Sequence, residues 1–329
     1  MEVKKELVKS YDLTSLNGLD VVNNSFQPKG KNYIYFLNKG MNTLYKFNFK
    51  DFLFRKVCSL GDMSGDFFSI NDFQKTISIQ HEDSIYLYNF KAQLLNKCYI
   101  PEVKDGYLYS SQSFPLSTFN DTSYFFNFYA NIPDAYKEKE FFNKPIEAMW
   151  NTKKNKITKL PVGYPTTYKE NCYGTMYLPQ RVSVDKNEFI YFFNHSDTVY
   201  HYNTQTSKKT SYNISTRVDK QFLKIPFDSL AEYNESVYSD MFFKGSVYLF
   251  NGVLANNNIT YRAFCPNKDS EKTLSKWIIT LYDKNFNYIG ETDELNEISN
   301  LFDDTSNNIY NFSIRDKKIK CEKVLFTPL

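Results

Sequence analysis

The sequence predicts an all-β chain folded as a six-bladed β-propeller, and three observations carry that expectation. A hairpin signature centred on residues 187–214 recurs in degraded form along the chain. Aromatic residues make up 18% of the chain, with 30 Phe and 27 Tyr, a strand-rich composition that needs many sheet faces to bury it. Recurring strands carry apolar residues on both faces, so each sheet must be covered on both sides. An aromatic motif once per small sheet is the mark of a propeller.

The signature itself reads as three antiparallel strands. Residues 189–194 form the first, His195-Ser196-Asp197 a polar turn, 198–202 the second, 203–207 another turn, and 208–214 a more polar third strand. The middle strand and its turn align with 42–48 and 83–89, and more loosely with 277–283, 148–151 and 308–314. The signature, 42–48 and 83–89 share a turn acid or amide, a small polar residue, an aliphatic, then aromatics two apart. The anchors Asn48, Asn89, Asn151, Asn203 and Asp283 are spaced 41, 62, 52 and 80 residues apart, so insertions stretch the period. Lys-rich strands follow the anchors and read as solvated outer strands.

In chain order, 7–13 is an isolated strand with no hairpin partner nearby. Blade one spans about 18–60 and blade two 61–101. Blade three carries a long excursion at 131–145, in which 135–142 is expected to form a short helix on the rim. Blade four is the signature itself, preceded by the loop 161–179. Blade five follows a turn or helix start at Ile225-Pro226-Phe227-Asp228, with strands at 240–250, 259–264, 277–283 and 286–291. Blade six shows only 309–314 and 319–326, and the orphan strand 7–13 is available to complete it and close the ring. Seven blades is the alternative, because 214–264 has room for an extra sheet.

The 329 residues are expected to form a single domain, 1–329, in which a chain of this size buries roughly 75% of its unfolded surface. Gly and Pro number only 11 each, so Asn, Asp, Ser and Lys must make the turns. A net charge of +3 from 40 basic and 37 acidic residues gives no footprint for nucleic acid. Cys58, Cys98, Cys172, Cys265 and Cys321 are scattered without a CxxC pair, which excludes zinc-ribbon and redox-motif readings. No apolar run is long enough to span a bilayer as a helix, and the N-terminus is no secretory signal. Either the chain is cytoplasmic or its leader has been trimmed. Seven N-x-S/T sequons are what an Asn-rich chain produces by chance.

Catalytic motifs are missing: there is no GxSxG elbow, phosphate-binding glycine loop, HExxH or EF-hand spacing. His195, Ser196 and Asp197 are consecutive and cannot stack into a proton relay, so they read as a hairpin turn. The chain has three His, His81, His195 and His201, too few for a multi-His metal site. Only five of the 40 basic residues are Arg. Arg181, Arg217 and Arg262 stand beside apolar strand residues, where a guanidinium lining the channel would clamp a carboxylate or sulfate. The competing reading pairs these arginines with acids between blades. Trp277 and Trp150 have the same ambivalence, between sugar-stacking platforms and inter-blade packing.

In blade five a family resemblance emerges. Asn256-Asn257-Asn258-Ile259-Thr260-Tyr261-Arg262, followed by the strand from Trp277 to Asp283, a turn and Gly290-Glu291-Thr292, resembles an uncharacterised family of Bacteroidetes propeller lipoproteins with a TolB-like six-bladed fold. The likeness extends through 187–203, covers most of the C-terminal half and is weak over 1–160. Thr260-Tyr261 replaces the two aromatics common in that family, and the N-terminus lacks a lipidation Cys. The resemblance implies an exported, lipid-anchored protein, periplasmic or at the cell surface, and transfers no catalytic residues.

The expected function is a non-catalytic binding module that holds a saccharide, peptide or protein partner at the channel mouth or rim loops. The channel candidates are Arg181, Arg217, Arg262 and Trp277. The alternative is a Ca²⁺-dependent hydrolase or lactonase, which needs acids at the start of several innermost strands. A cytoplasmic scaffold is the third reading. The protein is expected to be a monomer, to bind no nucleic acid, and to meet a membrane only through a lipid anchor.

Overall fold

In the computed structural model, six sheets succeed one another along the chain, each starting at an innermost strand and stepping outward. The structure describes residues 5–12, 25–27, 31–38, 41–61, 67–71, 74–111, 116–120, 122–174, 177–185, 187–254, 259–266, 276–292, 294–296, 298, 300–315 and 318–324. Expectations for residue 13, the start of blade one, the Asn256–Asn258 turn and residues 325–326 lie outside these.

Blade one is Ser25–Phe26, Tyr33–Asn38, Thr43–Asn48 and Leu53–Ser59; blade two is Phe67–Asn71, Thr76–His81, Ser84–Asn89 and Leu94–Tyr99. In blade three the long strand Ser123–Ala130 has a broken inner neighbour, Ser117–Asn120 along its first half and Gly106–Tyr109 along its second. Glu147–Asn151 and Lys156–Lys159 complete that blade. Blade four is Gln180–Ser183, Glu188–Phe192, Thr198–Asn203 and Lys208–Asn213, as the hairpin signature predicts. Blade five is Val247–Val253, Thr260–Cys265, Lys276–Tyr282 and Tyr288–Glu291. Blade six has Asn300–Asp303, Ile309–Arg315 and Lys318–Val324, with Lys5–Asp12 as its outermost strand.

Strand alternation divides each sheet between its two neighbours. Ile34 and Phe36 pack with Phe302, Phe312 and Ile319 of blade six, while Tyr35 and Leu37 pack with Phe68, Ile77 and Ile79 of blade two. Blades four and five meet through Ile190, Phe192, Val199 and Tyr282. The hydrophobic core is thus a set of layers between blades, and each buried Phe, Leu or Ile in it contributes about 1.5–3 kcal/mol.

The anchor residues have a local cause. Oδ1 of Asn48, Asn89, Asn151, Asn203 and Asp283 accepts backbone N–H bonds from the turn that follows, at 2.8–3.0 Å. The same turns place Phe52, Ala92, Asn155, Ser207 and Phe286 at φ between 44° and 63°, a left-handed conformation that the chain reaches without glycine.

Four expectations need correction. The strand drawn over 240–250 begins only at Val247, because Glu235–Lys244 is an α-helix that ends where Gly245 N–H bonds Met241 O. The helix drawn over 135–142 is two separate 3-10 turns, Ala135–Lys137 and Phe141–Asn143. Segment 308–314 is the second strand of its blade, one place inward of the other repeats. Asp304 explains the error: it caps Ser306 and Asn308 as Asp283 caps Asn285 and Asn287, so an inner turn imitates an outer one. Region 214–246 adds no seventh sheet; its one short strand, Ile225–Pro226, pairs with Asn171–Cys172.

Closure uses the N-terminal strand as anticipated. Lys5–Asp12 runs antiparallel to Lys318–Val324, and Tyr11 donates to Phe52 O at 2.6 Å while its ring meets Phe54 edge-on at 5.1 Å. One strand therefore seals blade six and grips blade one. Truncation of residues 1–12 is expected to lower Tm by about 10 °C, and a Lys5–Asp12 peptide added in trans to restore part of that loss, both measured by scanning calorimetry. An unchanged Tm would show that the closing strand contributes nothing.

Candidate functional site

Antiparallel strands fix where connections emerge. Links from second to third strand, and from one blade to the next, leave on one face of the ring; the remaining turns leave on the other. The excursions 131–146, 160–179 and 214–246 are respectively a second-to-third link in blade three, the link from blade three to four, and the link from four to five. All therefore rise from the same face, and so does the His195-Ser196-Asp197 turn.

They pack into one aromatic layer. Phe142 meets Tyr164 at 4.9 Å, Tyr168 at 5.8 Å and Phe227 at 5.8 Å, and Tyr136 meets Tyr238 at 5.7 Å. Gly174, at φ +76°, lets its segment lie against the helix, since a Cβ there would stand 2.3 Å from Tyr238 O. The hairpin turn is built in from below: Tyr168 Oη accepts from His195 N–H at 2.9 Å, and the His195 ring stacks on Tyr173 at 5.3 Å.

At one end of this layer the tyrosines reach solvent. Tyr107 and Tyr129 are cross-strand partners, and their rings lie 5.2 Å apart, with Tyr109 at 5.7 Å from Tyr107 and 6.0 Å from Tyr129. The Tyr129 hydroxyl bonds that of Tyr177, whose ring meets Phe141 at 5.5 Å. Tyr107 is 49% exposed, whereas Tyr164 and Tyr177 are buried. Burial pushes the phenols of Tyr107, Tyr109, Tyr164 and Tyr177 up from their ordinary value, so they stay protonated.

The predicted arginines are placed differently from one another. Arg262 is fully buried. Its Nε donates to Asn251 Oδ1 at 2.7 Å, and its other nitrogens donate to Ser196 O at 3.1 Å and Phe193 O at 2.9 Å. The guanidinium also lies 3.5 Å from the centre of the Tyr248 ring. It fastens blade five to the hairpin turn of blade four, where Asp197 binds Lys220 and accepts from the Tyr248 hydroxyl at 2.9 Å. Arg181, also buried, pairs with Glu147 of blade three, donates to Ser117 Oγ at 2.8 Å and sits over the Phe189 ring at 4.9 Å. Tyr191 donates its hydroxyl to the same carboxylate. Arg217 is exposed and stacks on Tyr288 of the outermost strand of blade five, 5.1 Å away. Trp277 is 1% exposed, in a core with Phe250 at 5.4 Å, and Trp150 is likewise buried. These residues do not converge, and Arg181 and Arg262 act between blades.

The other end of the channel holds a cavity of about 200 Å³ lined by inner strands of blades four, five and six, with Gln27 following that of blade one. Tyr261 and Val182 line it, while their neighbours Arg262 and Arg181 make the inter-blade contacts described above. Among its described lining residues the carboxylate is Asp303. Among the described residues no group of three or more His, Cys, Asp or Glu side chains is placed to hold a metal, and the lining does not fit the six to eight oxygens that Ca²⁺ takes.

No family model matches the chain, and a search of curated proteins finds no match. Among solved structures, a member of the DUF4221 family from Bacteroides vulgatus superposes with a TM-score of 0.73 at 15% identity, covering 99% of both chains. A putative exported protein from Bacteroides fragilis gives 0.54 at 12% identity, covering 99% of this chain and 95% of that one. The likeness establishes the fold alone. A streptogramin B lyase is more distant, at 0.49 and 9%, covering 99% and 97%, too far for its chemistry to bear on this chain.

Sequence reasoning singled out none of Tyr107, Tyr109, Tyr129, Tyr164 and Tyr177. The alternation Tyr107-Leu108-Tyr109 and the four tyrosines at 164, 168, 173 and 177 were the available signals.

Burial raises the Glu147 carboxyl from 4.5 to about 7 against the pull of Arg181, and lowers Arg181. A carboxyl raised on folding binds a proton that the unfolded chain has lost, so stability is expected to fall as pH rises from about 4.5 to about 7 and then to level off. Arg181→Met strands the carboxylate and is expected to lose about 3–5 kcal/mol at pH 8, with a smaller loss at pH 5. Adding Glu147→Leu should recover the loss and remove this pH slope, as read by urea denaturation.

Proposed function

We propose that this protein is a non-catalytic binding module that takes its ligand on the face where the three excursions gather. The observation that carries the reading is that single aromatic layer: long connections leave the ring together and pack into a preformed surface, ending in solvent-facing tyrosines. A saccharide, peptide or protein partner would meet rings whose positions are already set by Phe141 and Phe142 beneath them.

The protein is read as exported, to the periplasm or cell surface and held there by a lipid anchor. The blade-five resemblance to TolB-like propeller lipoproteins supports this, as does one structural neighbour described as a putative exported protein. No helix among the described residues is long and apolar enough to cross a membrane.

A thermal-shift screen of the purified chain against oligosaccharides, peptides, Ca²⁺ and Zn²⁺, with and without EDTA, tests the reading. The expected result is an organic ligand that raises Tm equally in EDTA and is recovered intact by mass spectrometry. Conversion of the ligand, or a shift abolished by EDTA, would overturn it.

A further inference from the structure

The tyrosine end of the layer has a specific chemistry. Tyr107, Tyr109, Tyr129 and Tyr177 belong to three separate segments, yet the rings of the first three lie within 6.0 Å of one another and the Tyr129 hydroxyl bonds that of Tyr177. Rings and hydroxyls are therefore presented together: apolar faces beside several donor-acceptor oxygens.

The surrounding charges cancel. Lys159 faces Asp105 at 3.5 Å and Lys137 faces Asp134 at 3.7 Å. No Arg or Lys points its ammonium or guanidinium at the rings of Tyr107, Tyr109, Tyr129 or Tyr177 in any contact the structure records among the described residues. A carboxylate or phosphate ligand would lack a cation, and burying it against neutral phenols would forfeit its hydration. A purely apolar ligand would cover the hydroxyls of the partly exposed Tyr109 and Tyr129 without bonding them. A ligand with alternating C–H faces and hydroxyls satisfies both.

We propose that this tyrosine cluster is a subsite for a neutral oligosaccharide, with Tyr107 as the exposed stacking ring and the hydroxyls of the partly exposed Tyr109 and Tyr129 bonding sugar hydroxyls. The inference rests on the binding-module reading and narrows it to one face, one cluster and one ligand class. Tyr109 and Tyr129 stiffen the platform, because their rings pack against Tyr107.

The test is isothermal titration of the full chain with cello-, malto-, manno- and galacto-hexaoses, beside a hexa-uronic acid and a tyrosine-free peptide library. One neutral hexaose is expected to bind. Tyr107→Ala should weaken it about tenfold or more, and Tyr109→Phe and Tyr129→Phe about three- to tenfold each. Tyr107→Phe should keep most of the affinity. Tyr107 is half exposed, so its variants are expected to melt with the wild type, which controls for folding. Preference for the uronic acid overturns the ligand class, as does peptide binding sensitive to Tyr107→Ala, and both leave the binding-module reading standing. Binding of a neutral hexaose indifferent to all the tyrosine variants overturns the subsite. No binding of any hexaose overturns the inference, whereas turnover of a bound one overturns the broader reading instead.

Discussion

A sheet that is apolar on both faces cannot end in water, and this constraint organises the whole molecule. Ile34 and Phe36 need a neighbour on one side, and Tyr35 and Leu37 need one on the other. Each blade thus demands the next until the last meets the first, and the final join is held by a strand from the opposite end of the chain, Lys5–Asp12. Polar staples repeat the logic between blades. Gln27 exchanges bonds with the Asp303 backbone, and Asn32 accepts from both Thr305 N–H and its hydroxyl at 2.7 Å. The buried Arg181–Glu147 pair binds blades three and four at the expense of desolvation, and it fixes which surfaces meet more than it adds stability.

The ring also decides where the long connections gather. Because strands alternate in direction, long connections in three different places are delivered to one face without further design. There they fuse: Cys172 pairs with Ile225, and Phe142 touches both Tyr164 and Phe227, so segments far apart in sequence share one packed layer. Arg262 ties that layer to the sheets beneath by holding the carbonyls of Phe193 and Ser196. Its guanidinium is taken up by those carbonyls, by Asn251 and by the Tyr248 ring.

Much of the fold was legible because the signals are local. Period-two aromatic strands and Asn or Asp turn anchors are written within a few residues, and they placed the hairpins of blades one, two and four and the closing strand. Where the sequence misled, a local signal was imitated or outweighed. Asp304 copies the turn chemistry of Asp283 at an inner position, which shifted 308–314 by one strand. The apolar residues before Val247 read as a strand, but the run Glu235–Lys244 packs as a helix through Tyr238 and Met241. Alternation alone told which residues share a face, yet not which neighbour that face meets, so Arg181 and Arg262 were left between the channel and the blade interfaces. The tyrosine cluster was least legible, since Tyr107, Tyr129 and Tyr177 converge only through folding.

The account turns on that layer being a rigid part of the propeller before any ligand arrives. Hydrogen exchange of the free chain measures this directly through amides such as Phe128 bonded to Ile146 O, Ile146 bonded to Val162 O, Asn131 bonded to Asp105 O and Ser246 bonded to Gln221 O, all at 2.9–3.1 Å. Protection comparable to that of the central strands Glu188–Phe192 and Thr198–Asn203 is predicted, as for one cooperative unit. Exchange of these amides at the rate of an unstructured loop, with the strands still protected, would contradict a preformed site.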